Sequence, residues 1–180
     1  MIGVLVSGEG TNLQALIDAG LPIVAVASNN TKARALDRAA AAGIAAGAFP
    51  ATEFVSREQR DAAMAEFLEE RGVQWVVCAG YMHLLRPTFL DRFAGRIVNT
   101  HSAPLPAFPG AHPIEDVLAA GVPETAATVH YVDEGVDTGA VILAERIPVH
   151  DGDTVESLRA RVQAAEHRLL PRVVAELVSR

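Results

Sequence analysis

Asn99 and His101 stand two residues apart at the end of the apolar run Ile97-Val98, in the stretch GRIVNTHSAPLPAFPG over residues 95–110. Side chains alternate along an extended strand, so the two project to one side if that geometry persists to His101. An amide donor beside an imidazole suits polarising a carbonyl and stabilising a tetrahedral oxyanion. The competing reading is two polar side chains tying down a loop. Behind them, Pro104, Pro106, Pro109 and Pro113 fix φ and remove backbone donors, so this segment is stiff before any ligand arrives. Long irregular segments in compact domains are often functional.

A carboxylate would complete such a centre. The loop Asp133-Glu134-Gly135-Val136-Asp137-Thr138-Gly139 offers three of them. One placed near His101 would orient the ring and raise its pKa. Composition does not choose Asp137 over Asp133. A third segment, Ser7-Gly8-Glu9-Gly10-Thr11-Asn12, follows the first apolar run and opens a helical pattern. Glycines there permit close backbone approach, and a helix N-terminus favours an anion such as phosphate. It is neither a full dinucleotide fingerprint, because Leu13 takes the third glycine position, nor a Walker loop. An ordinary turn with Asn12 as helix cap is the alternative. His83, His112, His130, His150 and His167 show no metal-binding spacing, so no metal is expected. Gly-x-Ser-x-Gly does not occur either.

The positioning elements alternate from the first residue. Ile2–Val6, Pro22–Ala27, Ala45–Phe49, Gln74–Ala79 and Arg96–Thr100 read as strands, in continuous apolar runs that suit a parallel sheet buried on both faces. Helical patterns cover Asn12–Ala19, Ala33–Ala42 and, capped by Ser56, a stretch to Arg71 with Ala62, Ala63, Phe67 and Leu68 on one side. A short helix is expected after Pro87. Thr125–Val132 and Ala140–Ile147 predict an antiparallel pair around the acidic loop. Asp153 and Glu156 resemble a capping box that starts a long C-terminal helix with Val155, Leu158, Val162, Ala165, Leu169, Val173 and Leu177 on its apolar face. Pro171 is expected to kink or divide it. The fold class is α/β: doubly wound, mostly parallel, with an antiparallel C-terminal extension.

The 180 residues, half of them hydrophobic, suit a single domain over 1–180 with a sizeable core. Net charge is −7, which argues against a nucleic-acid partner. No run approaches the ~20 apolar residues of a membrane span. Cys78, the single cysteine, lies in an apolar run and reads as an inert core residue. The expected location is the cytoplasm, and a homodimer is left open.

In order along the chain, these segments resemble the glycinamide ribonucleotide transformylases: Ser7-Gly8-x-Gly10-Thr11-Asn12-Leu13-Gln14, Ala79-Gly80-Tyr81-Met82, Asn99-x-His101 with Leu105-Pro106-x-Phe108-Pro109-Gly110, His130-x-Val132 before Asp137-x-Gly139, and Gln163 with Glu166-His167. The resemblance implies transfer of a formyl group from 10-formyltetrahydrofolate, as co-substrate, to the amine of 5-phosphoribosylglycinamide. It implies that Asn99 donates to the developing oxyanion, that His101 acts as imidazolium and general acid, and that Asp137 holds His101 and raises its pKa. It places Gly10, Thr11, Asn12, Gln163 and Glu166 on the ribonucleotide. Arg57, Met82, His83, Leu84, Leu85, Asn99, Asp133, Glu134, Gly135, Val136 and Asp137 fall on the folate. Two departures stand out: His83 where many relatives carry Arg, and Ser102-Ala103-Pro104 where the family usually has Pro-Ser-Leu. A formyl-folate hydrolase and a nucleotide-binding module without turnover are the alternatives; the ribonucleotide-contacting positions favour transfer.

Overall fold

The computed structural model describes residues 1–179. Strands are β1 (Ile2–Val6), β2 (Ile23–Ser28), β3 (Ala45–Ala48), β4 (Trp75–Cys78), β5 (Ile97–His101), β6 (Glu124–Tyr131) and β7 (Val141–Pro148). Their order is β3-β2-β1-β4-β5-β6-β7. The α/β class, the mostly parallel sheet and the antiparallel C-terminal pair are as the sequence predicts. Contacts divide the chain into two compact units, Met1–Asn99 and the residues from Thr100 onward.

In the first unit β1 is buried at all five positions, as its unbroken apolar run requires. It pairs in parallel with β2, Val6 opposite Ser28, and with β4, Leu5 opposite Cys78. β3 extends the sheet beyond β2 and β5 extends it beyond β4. The order therefore reverses direction at β1 and β4, and the loops leaving their carboxyl ends meet at a topological switch point, where open α/β sheets bind ligands. Helices α1 (Thr11–Asp18), α2 (Arg34–Ala41), α3 (Arg57–Glu69) and α4 (Pro87–Leu90) make the connections. Cys78 is buried and its thiol is pushed up to about 12 by desolvation, which fits an inert core residue.

Ser56 caps α3 as expected, its hydroxyl accepting from the Gln59 N–H at 3.2 Å. The buried face differs from the expected one. It consists of Arg60, Asp61, Met64, Ala65 and Leu68, with Ala62, Ala63 and Phe67 half-buried beside it. Two charged residues enter the interior because they pair with each other, Arg60 Nη2 lying 3.1 Å from Asp61 Oδ1.

The second unit contains a helix absent from the sequence reading, α5 (Pro113–Ala120), which ends the proline-rich segment. Pro113 is its first residue, a position where the missing N–H is not needed. Gly121 closes it in the left-handed conformation. β6 and β7 pair antiparallel, with Thr128 opposite Ala144. α6 (Val155–Val178) packs on both and runs without a break through Pro171. Its capping box is Thr154 with Ser157, one residue later than predicted. Asp153 instead gathers the His150 N–H, the Ser157 hydroxyl and the Arg161 guanidinium. Arg161 foremost holds that carboxyl well below the usual range.

Candidate active site

β5 delivers Asn99, half-buried, and two residues later His101, which is only 6 % exposed. Asp137 approaches that ring, its Oδ2 lying 3.5 Å from His101 Nδ1. The other carboxylate oxygen, Oδ1, lies 3.5 Å from His130 Nε2, and the Gly110 N–H donates to Oδ2 at 2.9 Å. The carboxylate is thus held between two imidazoles and a backbone amide from the proline-rich segment. Burial by itself raises its pKa; the contact with His130, the Gly110 N–H and the His101 charge outweigh burial and hold it below the ordinary aspartate value. His101 Nε2 meets the Phe108 carbonyl at 2.6 Å, so that ring nitrogen carries the proton.

The backbone is built around this contact. Asp137 adopts φ 54°, and it is the one non-glycine residue with positive φ among the described residues. Aspartate tolerates the left-handed region better than most residues, but the conformation still costs about 1–2 kcal/mol. Such strain, observed at a half-buried carboxylate, motivates a functional reading. Gly139 answers a closer constraint: a Cβ there would lie 1.8 Å from the Tyr131 carbonyl oxygen at the end of β6. No other residue fits without moving the strand that carries His130.

The structure separates the two aspartates that composition left equal. Asp133 turns back on its own loop, accepting from the Gly135 N–H at 3.0 Å and the Thr138 hydroxyl at 2.6 Å. Only Asp137 reaches the histidines. Glu134, Gly135 and Val136 are exposed. His130 lies in this cluster, although the sequence assigns it no role beyond its place in the His130-x-Val132 motif. Its Nδ1–H donates to the Tyr131 carbonyl at 2.8 Å, which aims Nε2 at Asp137. The available signal was Thr125, Thr128 and His130 interleaved with Ala126, Ala127 and Val129 just before the acidic loop.

Further along this unit, Glu166 is buried on α6 and accepts from the Ser102 hydroxyl at 2.6 Å. Gln163 lies one turn earlier on the same helix and is half-buried. The neighbouring backbone is fixed by Thr128, whose hydroxyl donates to the Ala103 carbonyl at 2.8 Å. The departure Ser102-Ala103-Pro104 therefore supplies a donor to Glu166 where a proline could not.

In the first unit, Gly10 and not Asn12 is the N-cap of α1, left-handed at φ 72°. A Cβ at Gly10 would stand 2.6 Å from Ala35 Cβ, so the residue must be glycine for both reasons. The first N–H groups of a helix have no acceptor within it, and Thr11 and Asn12 sit where those groups favour an anion. Asn12 is buried and Thr11 half-buried. Among the folate-side candidates, Met82 and Leu84 are exposed and Leu85 is buried. Arg57 is exposed at the first residue of α3. His83 is half-buried against Asn29. Among the described residues no group of three His, Cys, Asp or Glu side chains is arranged to hold a metal ion, and no helix is long and apolar enough to cross a membrane.

A formyl transferase family profile matches residues 1–174. A phosphoribosylglycinamide formyltransferase from Mycobacterium tuberculosis is 42% identical over 181 residues, which cover 98% of this chain and 84% of that protein. The trifunctional purine biosynthetic protein adenosine-3 of Drosophila pseudoobscura pseudoobscura is 43% identical over 186 residues, 99% of this chain. This chain spans only 14% of that protein's length. Among solved structures, the phosphoribosylglycinamide formyltransferase of Streptococcus pneumoniae TIGR4 superposes with a TM-score of 0.95 at 45% identity, covering 98% of each chain.

Proposed function

Because the chain belongs to the formyl transferase family, we propose that it transfers the formyl group of 10-formyltetrahydrofolate to the amine of 5-phosphoribosylglycinamide, in purine biosynthesis. The observation that carries this reading is the buried His101 ring with the Asp137 carboxylate 3.5 Å from Nδ1. The similarity to formyltransferases across most of their own length supports it.

The amine adds to the formyl carbon, a C–N bond forms, and the formyl oxygen becomes a tetrahedral oxyanion. Asn99 and His101 share a strand end, and donors placed there stabilise that charge. Collapse breaks the bond to the folate nitrogen, which leaves with a proton; His101 is the general acid that relays it. Asp137 holds the ring at Nδ1, which leaves Nε2 to work. Nε2 must then exchange the Phe108 carbonyl for a substrate atom. His130 and the Gly110 N–H hold Asp137 in turn. Gly10, Thr11 and Asn12 take the phosphate at the α1 N-terminus, and Gln163 and Glu166 take the rest of the ribonucleotide. Arg57, Met82–Leu85 and Asp133–Asp137 are assigned to the folate. The family match over 1–174 supports reading the whole chain as one catalytic domain, and these substrates suit a cytoplasmic enzyme whose homodimerisation stays an open part of the reading.

The deciding experiment mixes protein, formyl-folate and ribonucleotide and follows folate deformylation. Deformylation that requires the ribonucleotide is expected. Release without it would make the protein a hydrolase, and no release with either substrate would make it a binding module. A second expectation concerns Ser102. Ser102→Ala removes a hydroxyl donor from a buried carboxylate, an interaction worth about 1.5–3 kcal/mol. The ribonucleotide KM should rise about tenfold, with kcat and the formyl-folate KM nearly unchanged in steady-state kinetics.

A further inference from the structure

Three loops at the switch point of the first unit are joined by an ordered set of hydrogen bonds. The Met82 N–H, after β4, donates to Ser7 Oγ, after β1, at 2.9 Å. The Ser7 hydroxyl donates to Asn29 Oδ1, after β2, at 2.6 Å. Asn29 Nδ2 meets His83 Nε2 at 2.9 Å, which returns to the loop after β4. Asn30 Nδ2 also donates to the Ser7 carbonyl at 3.2 Å. The polarity follows from the atoms. An amide nitrogen only donates, so His83 Nε2 must be the acceptor, without a proton. The 2.6 Å separation at the serine end suits O–H···O, while 2.9 Å suits a nitrogen donor. Reversing the amide would leave the Ser7 hydroxyl proton without its acceptor.

We propose that Ser7 and Asn29 are positioning residues that hold His83 as a neutral ring, protonated at Nδ1, and so fix the Met82–His83 segment for the ligand. The assignment of that segment to formyl-folate rests on the function proposed above; the tautomer does not. Nδ1 has no hydrogen-bond partner among the described residues, so its N–H is the ring's one donor toward a ligand. Protonation of Nε2 would set two donors against each other, and the chain would have to break or reverse.

The surroundings act in the same direction. Burial first, then the Arg60 and Arg57 guanidiniums of α3, hold the His83 pKa below the ordinary histidine value, and Asp61 opposes them. Asp61 is engaged by Arg60 and by the Arg86 N–H. The remaining neighbour, the Tyr81 ring at 5.8 Å, is a phenol whose pKa burial pushes up, so it adds no charge. His83 is therefore neutral at pH 7, and the chain is intact above its lowered pKa and lost as pH falls through it.

Two-bond 1H–15N correlation spectra of the intact protein test this without any substrate. A pyridine-type Nε2 and a pyrrole-type Nδ1 at pH 7, titrating below 6.5, are expected for His83. A pyrrole-type Nε2, or a titration at or above 6.5, overturns the proposal whatever the enzyme's substrates are. Asn29→Asp provides a second arm: the new carboxylate accepts from both Ser7 and a protonated Nε2, so the His83 titration should move up by more than one pH unit. No movement would also overturn it. In kinetics, the wild-type KM for formyl-folate should rise several-fold at acid pH relative to that of His83→Gln, which retains an acceptor and cannot titrate. Parallel KM profiles in the two proteins would remove the positioning role.

Discussion

On the proposed function, His101→Ala should lower turnover by about 10²–10⁴-fold, the range a positioned general acid supplies, while ribonucleotide affinity should stay within a few-fold. Asp137→Asn lowers it by about 10²-fold or more, because the ring remains but its carboxylate does not. The asparagine variant is the sharper probe. Asn tolerates a positive φ as Asp does, so the backbone at φ 54° is preserved and only the charge is removed. Single-turnover kinetics and equilibrium binding of the ribonucleotide separate the two effects. Near-normal turnover in both variants would refute the role assignment.

The same substitution has a pH signature. The folded pKa of Asp137 is depressed, so its contribution to stability is complete above the unfolded value of about 3.9 and disappears as pH falls through the folded one. Acid unfolding of Asp137→Asn should therefore lack part of the wild-type destabilisation below pH 4. Denaturant titrations at pH 7 and pH 3 measure it, and an unchanged difference between the two proteins would contradict the depressed pKa.

Part of this arrangement is legible in the sequence, and most of the rest depends on how one loop folds. β1 ends where the apolar run ends, because a strand buried on both faces is specified by composition alone. The spacing of Asn99 and His101 on such a strand makes them candidates, and the family resemblance supplies their expected roles. Composition alone does not separate Asp137 from Asp133, because the choice depends on which carboxylate the loop satisfies internally; Thr138 and the Gly135 N–H take Asp133. His130 is hidden for a related reason: its contact is with a residue seven positions later, across a loop whose conformation the sequence does not give. α5 was hidden by its own start signal, Pro113 having been grouped with the prolines before it. At the two aspartates and at His130 the deciding factor is the conformation of the 133–139 loop, whereas at α5 it is a local start signal, Pro113.

The buried face of α3 carries the largest stability effect. Arg60 is 2 % exposed and Asp61 fully buried, joined by Arg60 Nε and Nη2 at 3.3 and 3.1 Å from Asp61 Oδ1. The second oxygen accepts the Arg86 N–H at 2.9 Å. Asp61→Ala leaves a buried guanidinium without its counter-charge and an amide without its acceptor, a loss of about 3–5 kcal/mol. For a chain of this size that lowers the melting temperature by roughly 6–20 °C. Replacing both partners with apolar residues of similar volume, Arg60→Met with Asp61→Leu, should restore most of the loss, because no charge is then left buried alone. The function should not recover with it. Asp61 holds residue 86 at the end of the Met82–Leu85 segment, so the double variant should still show a raised formyl-folate KM at a nearly unchanged ribonucleotide KM. A single variant that melts within a degree of the parent, or a double variant with both KM values restored, would show that the pair neither stabilises α3 nor sets that segment.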